Sequence, residues 1–295
     1  MKTYFACSDI HGYFKEWMVS LNKAGFDANN NEHILIILGD IFDRGKKPWQ
    51  IYKFITSLPK ERVILIKGNH EYLLIELVRR KHPFSFDYHN GTYDTLVYLR
   101  KEDPYETRRK WINKYKDKYK EVDYFTLFSR ADEIYRDANE KLYNNNKLNE
   151  ILDWLNSSDW KNYYELGQYI FVHSFIPLLG VDDIYKIDSP GTYYPDWRNE
   201  KNPALWLMAT WGCPYKRYLE GSFKEEERKG KVLVCGHWHT SDFYNKLIPG
   251  SNMDIKKENP IFKSEQYPGL IGLDACTALT HKVNVLIIKE DELLV

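Results

Sequence analysis

Three apolar runs near the start of the chain each stop at a small residue and are followed by side chains that can bind ions. Thr3–Ser8 runs into Asp9-Ile10-His11-Gly12, His33–Leu38 into Gly39-Asp40, and Arg62–Ile66, one residue on, into Gly68-Asn69-His70. The second run is nearly continuous in Ile and Leu, as a strand buried on both faces requires. Helical patterns lie between the runs. Tyr13–Ala24 puts Trp17, Leu21 and Ala24 on one face. Pro48–Leu58 opens with a proline suited to a first turn, and Glu71–Arg80 follows the third run. Such βαβα alternation demands parallel strands joined by right-handed crossovers, so the predicted class is α/β.

The pattern changes at Lys81. From there to Leu166 no buried strand is predicted. Trp111, Tyr115 and Tyr119 share one helical face. Leu127, Ala131, Ile134, Ala138 and Leu142 continue a stripe, and Leu148, Ile151, Leu152 and Leu155 form another. The chain is therefore read as one domain, residues 1–295, with a helical insertion at 81–166. The insertion has a basic excess over Lys101–Lys120, read as a solvated helix face rather than a polyanion contact. Turns are expected at Asn29–Asn31 and Asn144–Asn146. Strand character returns at Tyr169–Val172, Lys231–Cys235, Leu270–Leu273 and Val283–Ile288, spaced as in a mixed sheet with hairpins.

Composition narrows the partners. Lys plus Arg and Asp plus Glu both number 42, so no global basic field argues for nucleic acid. Cys7, Cys213, Cys235 and Cys276 are far apart with no C-x-x-C pair, which excludes a zinc knuckle or disulfide framework. No apolar stretch approaches the roughly 18 residues of a membrane span. The few apolar residues before Asp9 are too short for a signal peptide. The expectation is a cytoplasmic protein with no membrane partner.

The chemistry is carried by segments that end strands. To the three above are added the rest of Gly39-Asp40-Ile41-Phe42-Asp43-Arg44-Gly45, then Val172-His173-Ser174 and Gly236-His237-Trp238-His239-Thr240. In open α/β sheets ligands bind at the carboxyl ends of strands, and glycine there allows a sharp turn and a close approach. A lone Asp-x-His after a strand is usually a turn or cap, and His173 alone would pass for a core histidine. Gly-Asp-x-x-Asp-Arg-Gly is far more specific, and the set in this order favours a metal site. Carboxylate, imidazole and carboxamide donors suit Mn²⁺, Fe²⁺ or Zn²⁺. Asp40 is the candidate bridge between two cations, a pair of which clamps an in-line displacement and brings a bound water's pKa to about 7. Two cations, Asp9, Asp40 and a bridging hydroxide would leave roughly +1, which suits an anionic substrate. Arg44 offers a fork for phosphate oxygens.

These segments resemble the signature motifs of calcineurin-like metallophosphoesterases, specifically the phosphoprotein (serine/threonine) phosphatase branch, with Ser8 where the branch has Gly. The final hairpin, Leu273-Asp274-Ala275-Cys276 and Lys282–Leu286, resembles bacterial members. The resemblance covers residues 1–80 and 168–295. It implies a four-layer αββα sandwich of two mixed sheets, with residues 81–166 as a helical cap. It also implies that Asp9 and His11 bind one metal, that Asp40 bridges, and that Asn69, His173 and His237 complete the second. His239 would be an added ligand of the first metal. His70 would protonate the leaving oxygen, oriented by Asp43, with Arg44 and its neighbours Asn69 and His70 on the phosphate. The branch's Trp-x-Arg is missing, since Trp206-Leu207-Met208 stands there, and Arg198 and Arg217 are the candidate substitutes. Three functions follow. The first is hydrolysis of phosphate monoesters, on phosphorylated proteins or small esters. The second is hydrolysis of dinucleoside polyphosphates, with aromatic residues of the insertion stacking on a base. The third is a non-catalytic metal-binding scaffold, against which the intact His70 and Asp43 argue.

Overall fold

The computed structural model describes residues 1–118, 142–257 and 259–294. The first sheet is built from β1 (Thr3–Cys7), β2 (His33–Ile37), β3 (Val63–Ile66) and β4 (Trp160–Lys161), all parallel. Helices α1 (Phe14–Ala24) and α2 (Pro48–Ser57) make the crossovers between β1, β2 and β3. After β3 come α3 (Asn69–Arg80), α4 (Ser85–Asn90), α5 (Thr92–Leu99), α6 (Pro104–Lys118) and α7 (Asn146–Leu155).

The second sheet runs in the order β10–β11–β9–β6–β5. Its strands are β5 (Tyr163–Leu166), β6 (Tyr169–Val172), β9 (Val232–Cys235), β10 (Phe262–Lys263) and β11 (Leu270–Gly272). Its centre, β11–β9–β6, is parallel, and both edge strands are antiparallel. A small pair, β7 (Leu178–Leu179) and β8 (Thr192–Tyr193), stands apart. Helices α8 (Pro203–Trp211), α9 (Pro214–Leu219), α10 (Glu225–Arg228) and α11 (Thr240–Leu247) accompany this half. The chain then forms α12 (Thr277–Thr280), and β12 (Leu286–Lys289) returns antiparallel to β1 at the edge of the first sheet.

Side-chain alternation explains the layers. On β1, Tyr4 and Ala6 meet Phe171 of β6 and Val234 of β9 in a core between the sheets, joined by Ile34, Ile36 and Ile271. Phe5, Cys7, Leu35 and Ile37 point the other way, onto Trp17 and Leu21 of α1, Ile51 of α2 and Leu74 of α3. On the far side, Ile170, Val172, Leu233 and Cys235 meet Trp206 of α8 and Phe243 of α11. A strand with both faces buried must be apolar throughout, which is the run seen in sequence. The result is the predicted helix–sheet–sheet–helix sandwich of two mixed sheets.

Three boundaries differ from expectation. The stretch from Lys81 to Leu166 is not all helical, because β4 joins β3 and β5 joins β6. β4 is two residues long, and Tyr-Tyr-Glu-Leu of β5 is only half-buried, so neither has the alternation that marks a strand. The third helix starts at Asn69, not Glu71, and carries Asn69 and His70 in its first turn. The last strand starts at Leu286; Val283 instead packs into the helix-side core. The stripe formed by Leu148, Ile151 and Leu155 is buried in that core, with Leu142. Tyr119, Lys120 and the stripe from Leu127 to Ala138 lie outside the described residues.

Candidate metal centre and catalytic cleft

The ends of β1, β2 and β3 in one sheet and of β6 and β9 in the other converge on one cleft of about 360 Å³. Asp9, His11, Asp40, Asn69, His70, His237 and His239 all line it, with Arg44 at its mouth. The turns that do this are tight. Asp9, His11, Asp40, Asp43, Arg44 and His237 all have left-handed backbones, with φ between 48° and 71°. Such conformations are costly outside glycine and gather where function holds them. A Cβ on Gly68 would strike the Asp40 carboxylate, and one on Gly236 would strike Ser8 and Asp9, so both positions need glycine.

Two groups of possible ligand atoms share Asp40. One is His11, Asp40 and His70; the other is Asp40, His173 and His237. Asp40 Oδ2 lies 3.9 Å from His11 Nε2 and 3.8 Å from His70 Nε2, while its Oδ1 lies 3.4 Å from His173 Nε2. Its two oxygens thus serve different sets. Asp9 adds a carboxylate 3.8 Å from His11 Nε2, and its other oxygen accepts the His237 N–H at 2.9 Å.

The lone pairs are aimed by backbone carbonyls. His173 Nδ1 donates to the Leu38 carbonyl at 2.6 Å, and His11 Nδ1 to that of Phe42 at 3.1 Å, leaving Nε2 of each as an acceptor. Around His173 Nε2 stand Asn69 Oδ1 at 2.9 Å, His237 Nδ1 at 3.3 Å and Asp40 Oδ1. His173 Nε2, Asn69 Oδ1 and the Asp40 carboxylate bring lone pairs together, and His237 Nδ1 adds another in the matching tautomer, so this donor set fits a divalent ion.

Electrostatics agree. Burial and the neighbouring Asp274 push the Asp9 carboxyl up to about 6, with His173 opposing. Burial drives Asp40 well above the usual carboxylate range, against the pull of His70. Burial, then Arg44 and His70, hold His11 well below its ordinary value, and burial and His173 do the same to His237. Carboxylates withdrawn from water without a counter-charge are strained, and a neutral imidazole is the form that ligates. A bound cation satisfies both conditions.

His70 is set differently. Its Nδ1 donates to Asp43 Oδ2 at 2.6 Å, and its Nε2 faces the cleft 3.3 Å from Arg44. Burial lowers its pKa, but Asp40 and Asp43 outweigh this and the net direction is up. Arg44 also donates to His11 Nε2 at 2.7 Å. His239 belongs to neither group. It stands 3.7 Å from Asp242 and 3.8 Å from Asp274, about one-third exposed at the rim. The substitutes for the missing arginine are engaged elsewhere. Arg198 donates to Glu165 at 2.6 Å, and Arg217 donates to the carbonyls of Ile187 and Ser189.

Sequence reasoning gave several residues no role. Glu71 is wholly buried, and its carboxylate accepts the N–H groups of Gly68, Asp40 and Ile41 at 2.8, 2.9 and 3.0 Å, clamping the β2 and β3 loops together. Its place in Gly-Asn-His-Glu, three residues after a helix-capping glycine, was the available signal. Trp211 and Trp238 wall the cleft from the second sheet, and Asn90 from the insertion. Among the described residues the aromatic wall comes from the end of α8 and the β9 loop; the sequence reading placed stacking residues on the insertion, part of which lies outside the described residues.

A helix–sheet–sheet–helix sandwich with carboxylate and imidazole donors at its strand ends defines a metal-binding α/β protein. The chain belongs to the calcineurin-like phosphoesterase family, which it matches over residues 3–241. A symmetrical bis(5'-nucleosyl)-tetraphosphatase of Buchnera aphidicola subsp. Baizongia pistaciae is 31% identical over 172 residues, covering 55% of this chain and 59% of that protein. The chain therefore spans less than two thirds of that relative. Serine/threonine-protein phosphatase rdgC of Drosophila melanogaster is 32% identical over 87 residues, covering 26% of this chain and 13% of that protein. The crystal structure of a cold-active protein-tyrosine phosphatase from a psychrophilic Shewanella species superposes with a TM-score of 0.50. It covers 99% of this chain and 76% of that one at 16% identity, a likeness of fold alone.

Proposed function

We propose that this chain is a metal-dependent hydrolase of phosphate esters and anhydrides whose substrate is a dinucleoside polyphosphate. The observation that carries the hydrolase reading is Asp40 standing between His11 on one side and His173 and His237 on the other, with the His70 imidazole of the first group held by Asp43. Two features favour the nucleotide over a phosphorylated protein. The tetraphosphatase relative covers about twice as much of the chain as rdgC does. Two half-buried indoles, Trp211 and Trp238, flank the ligand sets, and an indole face suits a nucleobase. The expected first choice, phosphoserine or phosphothreonine, gives way on those grounds.

In this reading Asp9 and His11 would hold one cation and Asn69, His173 and His237 the other, with Asp40 available to both sets. The imidazole-rich set suits Mn²⁺, with Fe²⁺ and Zn²⁺ next. Bound cations supply Lewis-acid polarisation of the phosphate and a water of lowered pKa. Arg44 grips phosphate oxygens. His70 keeps a proton at Nε2 for the leaving oxygen, while Asp43 fixes the ring. His239, at the rim with Asp242 and Asp274, is left out of the ligand set. Residues 81–166 are taken as an insertion within the one domain. Four buried, unpaired cysteines suit a reducing cytoplasm. Among the described residues no helix is long and apolar enough to cross a membrane.

The test compares metal-loaded protein on dinucleoside polyphosphates, phosphopeptides and p-nitrophenyl phosphate. A kcat/KM on the dinucleotide at least tenfold above that on phosphopeptides is expected; the reverse order removes the nucleotide reading. Two bound Mn²⁺ per chain, retained in His70→Asn, are expected by elemental analysis. Loss of one ion in that variant would make His70 a ligand and not the acid.

A further inference from the structure

In sequence, residues 81–166 are a helical cap. Its helix α5 does something more specific. Asp43 is wholly buried, and its carboxylate accepts from three groups. His70 Nδ1 donates to Oδ2 at 2.6 Å, Thr92 Oγ1 to Oδ2 at 2.7 Å, and Thr95 Oγ1 to Oδ1 at 2.7 Å. The Thr95 hydroxyl also accepts the Asp43 N–H at 3.0 Å. One hydroxyl proton and two lone pairs allow both bonds at once. Thr92 and Thr95 are three apart on α5, so they present one face, and both are wholly buried.

The same helix start braces the strained turn. Asp43 and Arg44 have φ of 71° and 61°. Gly91, just before α5, lies so close to them that a Cβ there would sit 2.6 Å from the Arg44 nitrogen. Such conformations persist only where the surroundings over-determine them.

We infer that Thr92 and Thr95 are positioning residues which lock the Asp43 carboxylate, and through it aim His70 Nε2 into the cleft, so that the insertion completes the leaving-group acid. This rests on the reading of His70 as that acid. In the step served, water adds its oxygen to phosphorus while the bond from phosphorus to the leaving oxygen breaks. The bond pair goes to that oxygen, which takes the His70 proton, and the water's proton restores the balance. Without the threonines, Asp43 keeps a buried oxygen with no side-chain donor and is free to turn from His70.

A leaving-group series tests this. p-Nitrophenolate departs without a proton, whereas phenol from phenyl phosphate needs one. In metal-loaded Thr92→Val/Thr95→Val, kcat on phenyl phosphate is expected to fall about 10- to 100-fold, and on p-nitrophenyl phosphate under about 3-fold. Thr92→Ser/Thr95→Ser restores both rates. The ratio of the two rates does not depend on how much of the variant folds. Equal losses on both esters would reduce the threonines to a structural role and overturn the inference. His70→Asn separates the two claims. Equal losses there would remove the acid itself, and the inference with it. Selective loss in His70→Asn but not in the valine variant would remove only the threonine latch.

Discussion

The loops after β1, β2 and β3 and the loops after β6 and β9 meet in one cleft but are built differently. The first group contains both Asp9 and Asp40, the His70–Asp43 pair and Arg44, and five of its non-glycine residues sit in left-handed conformations. Glu71 and α5 clamp that group with buried hydrogen bonds. The second group contributes imidazoles and indoles, and of its ligand-type residues only His237 is left-handed. His173 is held by a carbonyl of the opposite sheet, Leu38, not by a clamp of its own. The contrast suggests a division of labour: the first sheet fixes where charge and protons sit, and the second closes the ligand sphere and shapes what enters.

That division can be broken at its shared residue. Asp40→Asn removes charge from both ligand sets and is expected to lower kcat by at least about 10³-fold and the bound metal below two per chain, measured by turnover and elemental analysis. His237→Ala, acting on the second set alone, should lose one ion and keep the other. Loss of both in His237→Ala would end the idea of two separable sets.

Stability distinguishes the halves next. Glu71→Gln weakens three bonds to backbone N–H groups and is expected to cost about 3 kcal/mol in urea unfolding. Trp238→Leu, on the half-buried wall, should cost under about 1.5 kcal/mol. Equal costs would show that the first sheet's loops are no more rigidly held.

Selectivity is a smaller effect. Trp211→Leu/Trp238→Leu is expected to raise KM for a dinucleoside polyphosphate about tenfold, with little change for p-nitrophenyl phosphate. Equal changes would take the base contact away from these indoles.

The last comparison is in pH. Burial holds Asp274 at about 6 against 3.8 for a free carboxyl. The folded state therefore binds that proton more tightly than the unfolded chain. Its contribution to stability is complete below about pH 4 and is lost as pH rises through about 6, at no more than about 1.4 kcal/mol per pH unit. Thermal unfolding of metal-free protein should show that decline, to which the raised Asp9 and Asp40 carboxyls add, and Asp274→Asn should make it shallower without abolishing it.

Much of this was legible residue by residue. Strand ends announced themselves because an apolar run stops at Ser8, Gly39 or Gly236 and the next side chains are ones that burial penalises without a partner. Asn69 and His70 were placed in a loop and proved to open α3, since the capping role of Gly68 and Glu71 extends the helix backwards. Thr92, Thr95, Trp211 and Trp238 left no trace as site residues, because threonines and indoles beside apolar neighbours look the same whether they meet a core or a carboxylate.

The amino-acid order by itself determined the parallel run β1–β2–β3 of the first sheet, the need for two buried faces and the kinds of donor available, because periodicity and glycine punctuation are local consequences of backbone sterics. Only the folded arrangement decided that Asp40 would face both ligand sets, that His239 would turn to Asp242 and Asp274, and that α5 would reach Asp43. Those outcomes depend on hydrogen bonds and packing between segments far apart in the chain, whose partners are chosen by how two sheets stack and not by any spacing that can be read along it.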